Sequence, residues 1–67
     1  MSFSYKKLWK LLIDNDMMKK DLMEKAKVTS STMARLGKDK PVSMDALARI
    51  CCVLDCNIGD IVDIVKD

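Results

Sequence analysis

Apolar residues return at three- and four-residue steps in short blocks from Tyr5 to Val65, and that helical period limits the fold more than any other feature. Tyr5, Leu8, Trp9, Leu12 and Ile13 predict an amphipathic first helix from about Ser4 to Asn15. Leu22, Met23 and Ala26 carry the pattern into a short second helix, with Asn15 or Asp16 as its cap. Asp21 and Glu24 lie toward its N-terminal half, where the helix dipole favours negative charge. Thr29 is the expected N-cap of a third helix that turns Met33 and Leu36 inward. Lys38 to Val42 reads as a loop, because Pro41 disfavours helix at Lys40 and has no amide donor. Ser43 caps a fourth helix whose inward face is Met44, Leu47, Ala48, Cys51 and Leu54. Asn57 and Asp60 form a box-like start to a fifth, with Ile58, Ile61, Val62 and Val65 as its apolar stripe. No strand pattern is sustained. The expected fold is all-α: five short helices in a compact orthogonal bundle.

A chain of 67 residues supports a single domain, 1–67, with a small core. Its composition, 49% hydrophobic and 33% charged, is that of a globular rather than a disordered chain. No apolar run reaches the ~18 residues a membrane span requires. Met1 to Lys10 lacks the apolar block and cleavage site of a signal peptide, so a cytoplasmic protein is expected. The cysteines agree: Cys51, Cys52 and Cys56 are odd in number and close together, unlike the spread, paired set of a secreted mini-protein. Net charge is only +2, but residues 1–40 carry +5 and residues 41–67 carry −3. A basic half against an acidic half suits a domain that presents one side to a polyanion.

The segment between Lys19 and Lys38 carries the functional pattern. Leu22 and Ala26, four apart, share a face of the second helix, and Val28, Met33 and Leu36 supply the apolar surface opposite. Ser30, Ser31, Ala34 and Arg35 then point out of the bundle, leaving a helix with a buried back and a short, polar front. The run Leu22 to Leu36 resembles the helix-turn-helix of the lambda-repressor-like Cro family, and the resemblance continues through Pro41–Leu47 and Leu54–Ile61, covering about Leu8 to Val65. The family commonly has glycine at the position of Lys27, which implies a left-handed backbone there. The glycine usual after the third helix aligns with Asp39 rather than Gly37, which leaves the end of that helix open. Met23 stands where alanine is usual.

The resemblance implies a five-helix domain that reads double-stranded DNA with its third helix in the major groove. Ser30, Ser31, Ala34 and Arg35 would face base edges, Arg35 as a bidentate donor to guanine and Ala34 against a thymine methyl. Lys19, Lys20, Thr32, Lys38 and Lys40 would meet phosphates. Arg35 has a rival role in an ion pair with Glu24 or Asp39. One monomer reads few base pairs, so a homodimer on a palindrome is expected, with Ile61, Ile64 and Val65 of the fifth helix as its surface.

Other chemistries fit less well. Cys52 and Cys56 are four apart and Cys51 and Cys52 are vicinal, but there is no histidine and no zinc-module spacing, so core packing is the expected role and no metal or cofactor is assigned. Met17 and Met18 are adjacent and cannot both face the core. Trp9 reads as a core anchor. No nucleophile–base set and no glycine-rich phosphate loop is present, which argues against an enzyme, and no membrane partner or small-molecule ligand is evident. The reading that results is a DNA-binding transcriptional regulator, acting as a repressor. The alternative is a protein-interaction module that keeps the fold, in the manner of an antitoxin or anti-regulator, for which the plain recognition face would be suited.

Overall fold

The computed structural model describes residues 2–66. Four α-helices carry the architecture: α1 (Lys6–Asp14), α2 (Lys19–Ala26), α3 (Ser30–Gly37) and α4 (Met44–Leu54). Two three-residue strands, β1 (Ser2–Ser4) and β2 (Asp63–Val65), flank them, and a single 3-10 turn, Ile58–Asp60, precedes β2. The mostly helical fold is as expected, but the fifth helix is replaced by this turn and strand. Asn57 and Asp60 do form their box, the Asn57 N–H donating to Asp60 Oδ2 at 2.9 Å. Past it the β-branched run Ile61, Val62, Ile64 and Val65 favours extended backbone. It also finds a partner that local periodicity cannot reveal: β2 pairs antiparallel with β1, Ser2 opposite Val65, Phe3 opposite Ile64 and Ser4 opposite Asp63. Lys7 holds the junction, its Nζ 3.0 Å from Asp63 Oδ1 and 3.1 Å from the Gly59 carbonyl.

The core joins Leu8 and Leu12 of α1, Leu22 and Ala26 of α2, Val28, Leu36 of α3, and Ala46, Leu47 and Ile50 of α4 to Tyr5 and Ile61. The helices have 9, 8, 8 and 11 residues, too short to persist alone, so this shared burial is what holds them. Two faces differ from expectation. Ile13 is exposed at the end of α1, and α4 buries Ala46 and Ile50 while Met44 and Ala48 face out. Apolar residues lie on several sides of α4, so spacing alone did not select its inner face. Met17 packs against the core and Met18 is exposed.

All four helices stop in the same way. A residue with left-handed backbone follows each one: Asp16, Lys27, Asp39 and Asp55, with φ of 53°, 54°, 56° and 51°. The next N–H reaches back five residues to a helix carbonyl: Met17 to Leu12 at 2.8 Å, Val28 to Met23 at 3.2 Å, Lys40 to Arg35 at 2.9 Å and Cys56 to Cys51 at 3.0 Å. This is the Schellman pattern, in which the two bonded positions also bring their side chains together. Neither glycine occupies a left-handed site. Helix starts are capped by side chains: Thr29 Oγ1 accepts the Thr32 N–H, Ser43 Oγ that of Ala46, and Asp21 Oδ2 that of Met18. Asn15 and Asp16 therefore do not cap α2; they close α1, where Asn15 Nδ2 donates to the Leu11 carbonyl.

Tyr5 precedes α1 and is the buried hub between the chain start and the α3–α4 loop. Its hydroxyl donates to the Lys40 carbonyl at 2.8 Å and its N–H to Asp39 Oδ1 at 3.3 Å. Burial, and then the Asp39 carboxylate, raise the Tyr5 hydroxyl above its usual pKa of 10.0, with Arg35 acting in the opposite sense. The folded state therefore gains from the neutral phenol, a gain that is present below about pH 10 and lost as pH rises further. Tyr5→Phe is expected to cost about 1 kcal/mol in thermal or urea unfolding at neutral pH. Above pH 10 the wild-type protein should lose stability more steeply than the variant, so that the difference narrows. Lys27→Gly should raise stability by up to about 1 kcal/mol, a rise of several degrees in melting temperature, because a side chain at φ 54° is strained.

Candidate nucleic-acid interface

Helices α2 and α3 meet through a three-residue connection, Lys27-Val28-Thr29. The expected left-handed conformation at Lys27 is present and reverses the chain. Val28 then drops into the core and Thr29 caps α3. Burying Leu22, Ala26 and Leu36 completely or nearly so fixes the rotation of both helices about their axes. Ser30, Ser31, Ala34 and Arg35 are consequently all exposed along one side of α3. Met33 is half-buried beside them.

The start of α2 lies next to the start of α3. Lys19, Lys20, Met23, Ser30 and Met33 line one shallow cleft of about 240 Å³, so two cations and one of the polar positions share a concave surface. The Lys19 ammonium sits 4.4 Å from the centre of the Trp9 ring, which steadies it against α1 while its charge stays outward. Trp9 thus serves both as partial core and as a seat for Lys19. Thr32 is half-buried, and its hydroxyl lies 3.1 Å from Thr29 Oγ1 within the cap.

Arg35 lies at the other end of α3. Its Nε donates to the Pro41 carbonyl at 2.9 Å, so its contact is with the loop rather than with Glu24 or Asp39. With Nε engaged, the exposed guanidinium keeps its two terminal nitrogens as a pair of donors, which can match two acceptors side by side. Lys38 and Lys40 are exposed on the same loop. The structure thus gathers Lys19, Lys20 and Ser30 at one end of the unit and Arg35, Lys38 and Lys40 at the other, with Ser31 and Ala34 between.

Two supporting residues were not singled out from the sequence. Tyr5 holds the loop that Arg35 leans on. Arg49 of α4 donates from Nη1 to the Lys27 carbonyl at 2.9 Å and pairs through Nε, at 3.0 Å, with Asp45 one turn earlier. The Asp45–Arg49 spacing is legible as a helix pair. The contact with the strained turn is not, because it spans 22 residues.

The residues expected at a dimer surface separate. Ile61 is fully enclosed in the monomer's own core. Ile64 and Val65 stay exposed on β2, and Ile64 borders an apolar groove of about 300 Å³ with Phe3, Val42, Met44, Ile58 and Val62. Among the described residues, no group of three or more His, Cys, Asp or Glu side chains is arranged to hold a metal, and no helix is long and apolar enough to cross a membrane.

Comparison with known proteins agrees with this geometry. No curated protein sequence matches the chain. A crystal structure of the transcriptional regulator VanUg, in its form II crystals, superposes with a TM-score of 0.94 and is 48% identical, covering 98% of this chain and 88% of that one. The family model for the Cro/C1-type HTH DNA-binding domain matches residues 7–67. The chain belongs to the family of Cro/C1-type helix-turn-helix DNA-binding domains.

Proposed function

We propose that this DNA-binding domain is a sequence-specific transcriptional repressor that binds a palindromic operator as a homodimer, with α3 in the major groove. The observation that carries the reading is the exposed row Ser30, Ser31, Ala34 and Arg35 on a helix whose back is locked into the core. A helix so mounted offers hydroxyls, a methyl and one guanidinium fork to base edges. Lys19, Lys20, Lys38 and Lys40 bracket it and meet the backbone, with Thr32 at the helix start. Repression then follows from occupancy of a promoter in the cytoplasm. VanUg, itself a transcriptional regulator, supports the assignment to gene control.

Dimerisation is assigned to the surface around β2. Ile64 is 57% exposed and Met44 68%, and with Ile58 they line one apolar groove, a concentration of exposed apolar side chains suited to a contact surface. A second copy covering it would place two recognition helices on one duplex, with half-sites about one helical turn (roughly 34 Å) apart.

Selection of duplexes from a random pool at near-physiological salt should enrich a palindromic motif. Arg35→Ala should lose about 1–3 kcal/mol for that motif and relax the preference at the base pair it reads, while the domain stays folded by circular dichroism. Enrichment of nothing by the folded wild-type protein would instead favour the protein-interaction role. Ile64→Glu should shift the protein from dimer to monomer in sedimentation equilibrium and lower affinity for the full palindrome far more than for a half-site. A wild-type protein that is monomeric on and off DNA would refute the dimer.

A further inference from the structure

The Schellman pattern that ends each helix brings together the side chains of its two bonded positions. At α1 these are Leu12 and Met17 and at α2 Met23 and Val28, apolar pairs in or against the core. At α4 they are Cys51 and Cys56, bonded backbone to backbone at 3.0 Å across the left-handed Asp55. The same backbone bond sets the two thiol side chains on one side of the chain reversal, as it does the apolar pairs of α1 and α2. Both are half-buried, whereas Cys52 is exposed. A cleft of about 350 Å³, walled by Lys7, Lys10, Leu11 and Leu54 and by the carboxylates of Asp14, Asp55 and Asp60, opens onto Cys56.

We propose that Cys51 and Cys56 form a thiol–disulfide exchange site, converted to an intramolecular disulfide by a small-molecule disulfide of the glutathione type, with Cys52 left as a free thiol. One member of the pair, as thiolate, attacks a sulfur of the oxidised glutathione. A mixed disulfide forms and one glutathione thiolate leaves, taking up a proton from solvent. The second cysteine gives its proton to solvent, displaces the remaining glutathione and closes the Cys51–Cys56 bond. Two protein thiols are oxidised and one glutathione disulfide is reduced to two thiols.

Three features favour this bridge over its rivals. Backbones joined by a Schellman bond lie within the reach of a disulfide. Neighbouring residues such as Cys51 and Cys52 have Cα atoms about 3.8 Å apart, short of the usual span of about 4.4–6.8 Å. Burial first, and then Cys51, Asp60 and Asp55, push the Cys56 thiol up to about 11. A thiol so weakly acidic is a poor leaving group, which protects the closed bond from reopening, and it is seldom ionised at neutral pH, so closure is slow.

The test is to incubate the folded protein with oxidised glutathione, titrate free thiols and measure intact mass. Wild-type protein should fall from three free thiols to one, and Cys52→Ser from two to none, with loss of two hydrogens and no retained glutathione. Cleavage before Asp55 should leave the Cys51 and Cys56 peptides of Cys52→Ser joined until a reductant is added. Persistent glutathione adducts on Cys52→Ser, more than one unreacted thiol in wild-type protein or any in Cys52→Ser, or a bridge through Cys52 would overturn the proposal. Cys52 is exposed, so its substitution leaves folding intact, and the wild-type thiol count stands without it. DNA binding enters none of these readouts, so they stand whatever the duplex selection shows.

Discussion

The way each helix is made to stop governs this molecule. Four helices of two to three turns pack around one small core only if each ends sharply and the chain reverses within a few residues. The left-handed residue and its five-residue back-bond supply that reversal four times over. Three of the four sites hold aspartate, one of the side chains that tolerates this backbone region better than most. The fourth holds Lys27, at the turn of the helix-turn-helix itself. The Arg49 guanidinium on its carbonyl is the compensating contact, and it ties the strained turn to α4, the helix against which α2 packs.

A second network links α3 to the start of the chain. Lys40 returns its N–H to the Arg35 carbonyl, Arg35 reaches the Pro41 carbonyl, and Tyr5 takes hold of both Asp39 and Lys40. The side chain proposed to read a base thus rests on a loop pinned by a buried aromatic on the far side of the sequence. Such a long, flexible side chain loses much rotamer freedom on binding, and holding it in advance reduces that cost. The preorganisation resides in backbone carbonyls, so it asks little of loop side-chain identity beyond the shape Pro41 imposes.

Much of this was legible in the sequence, for physical reasons that differ by element. The helices, the Thr29 and Ser43 caps and the buried back of α3 follow from local spacing and hydroxyl chemistry, which act within a few residues. The same locality accounts for the errors. The Asn57–Asp60 box is real but starts a single turn, and only pairing with Phe3, some sixty positions away, turns the residues after it into a strand. Ile61, expected at the dimer surface, is instead enclosed in the core just ahead of β2, while Ile64 and Val65 stay exposed on that strand. Arg35's loop contact, the Arg49 clamp and the Tyr5 hub join distant segments and leave no mark in periodicity.

The small sheet has a topological meaning of its own. Ser2 opposite Val65 closes the backbone almost into a ring, with the helices strung around it. Loop-closure entropy grows only logarithmically with length, so even this widest closure is modest in cost, but it involves three residues a side and little burial. It is therefore the part of the fold that opens most readily, ahead of any helix in the core. Because the two strands run side by side, the order in which the helices appear along the chain matters less than their order around the ring: a chain cut at the α1–α2 turn and rejoined across the sheet would retain the same packed neighbours.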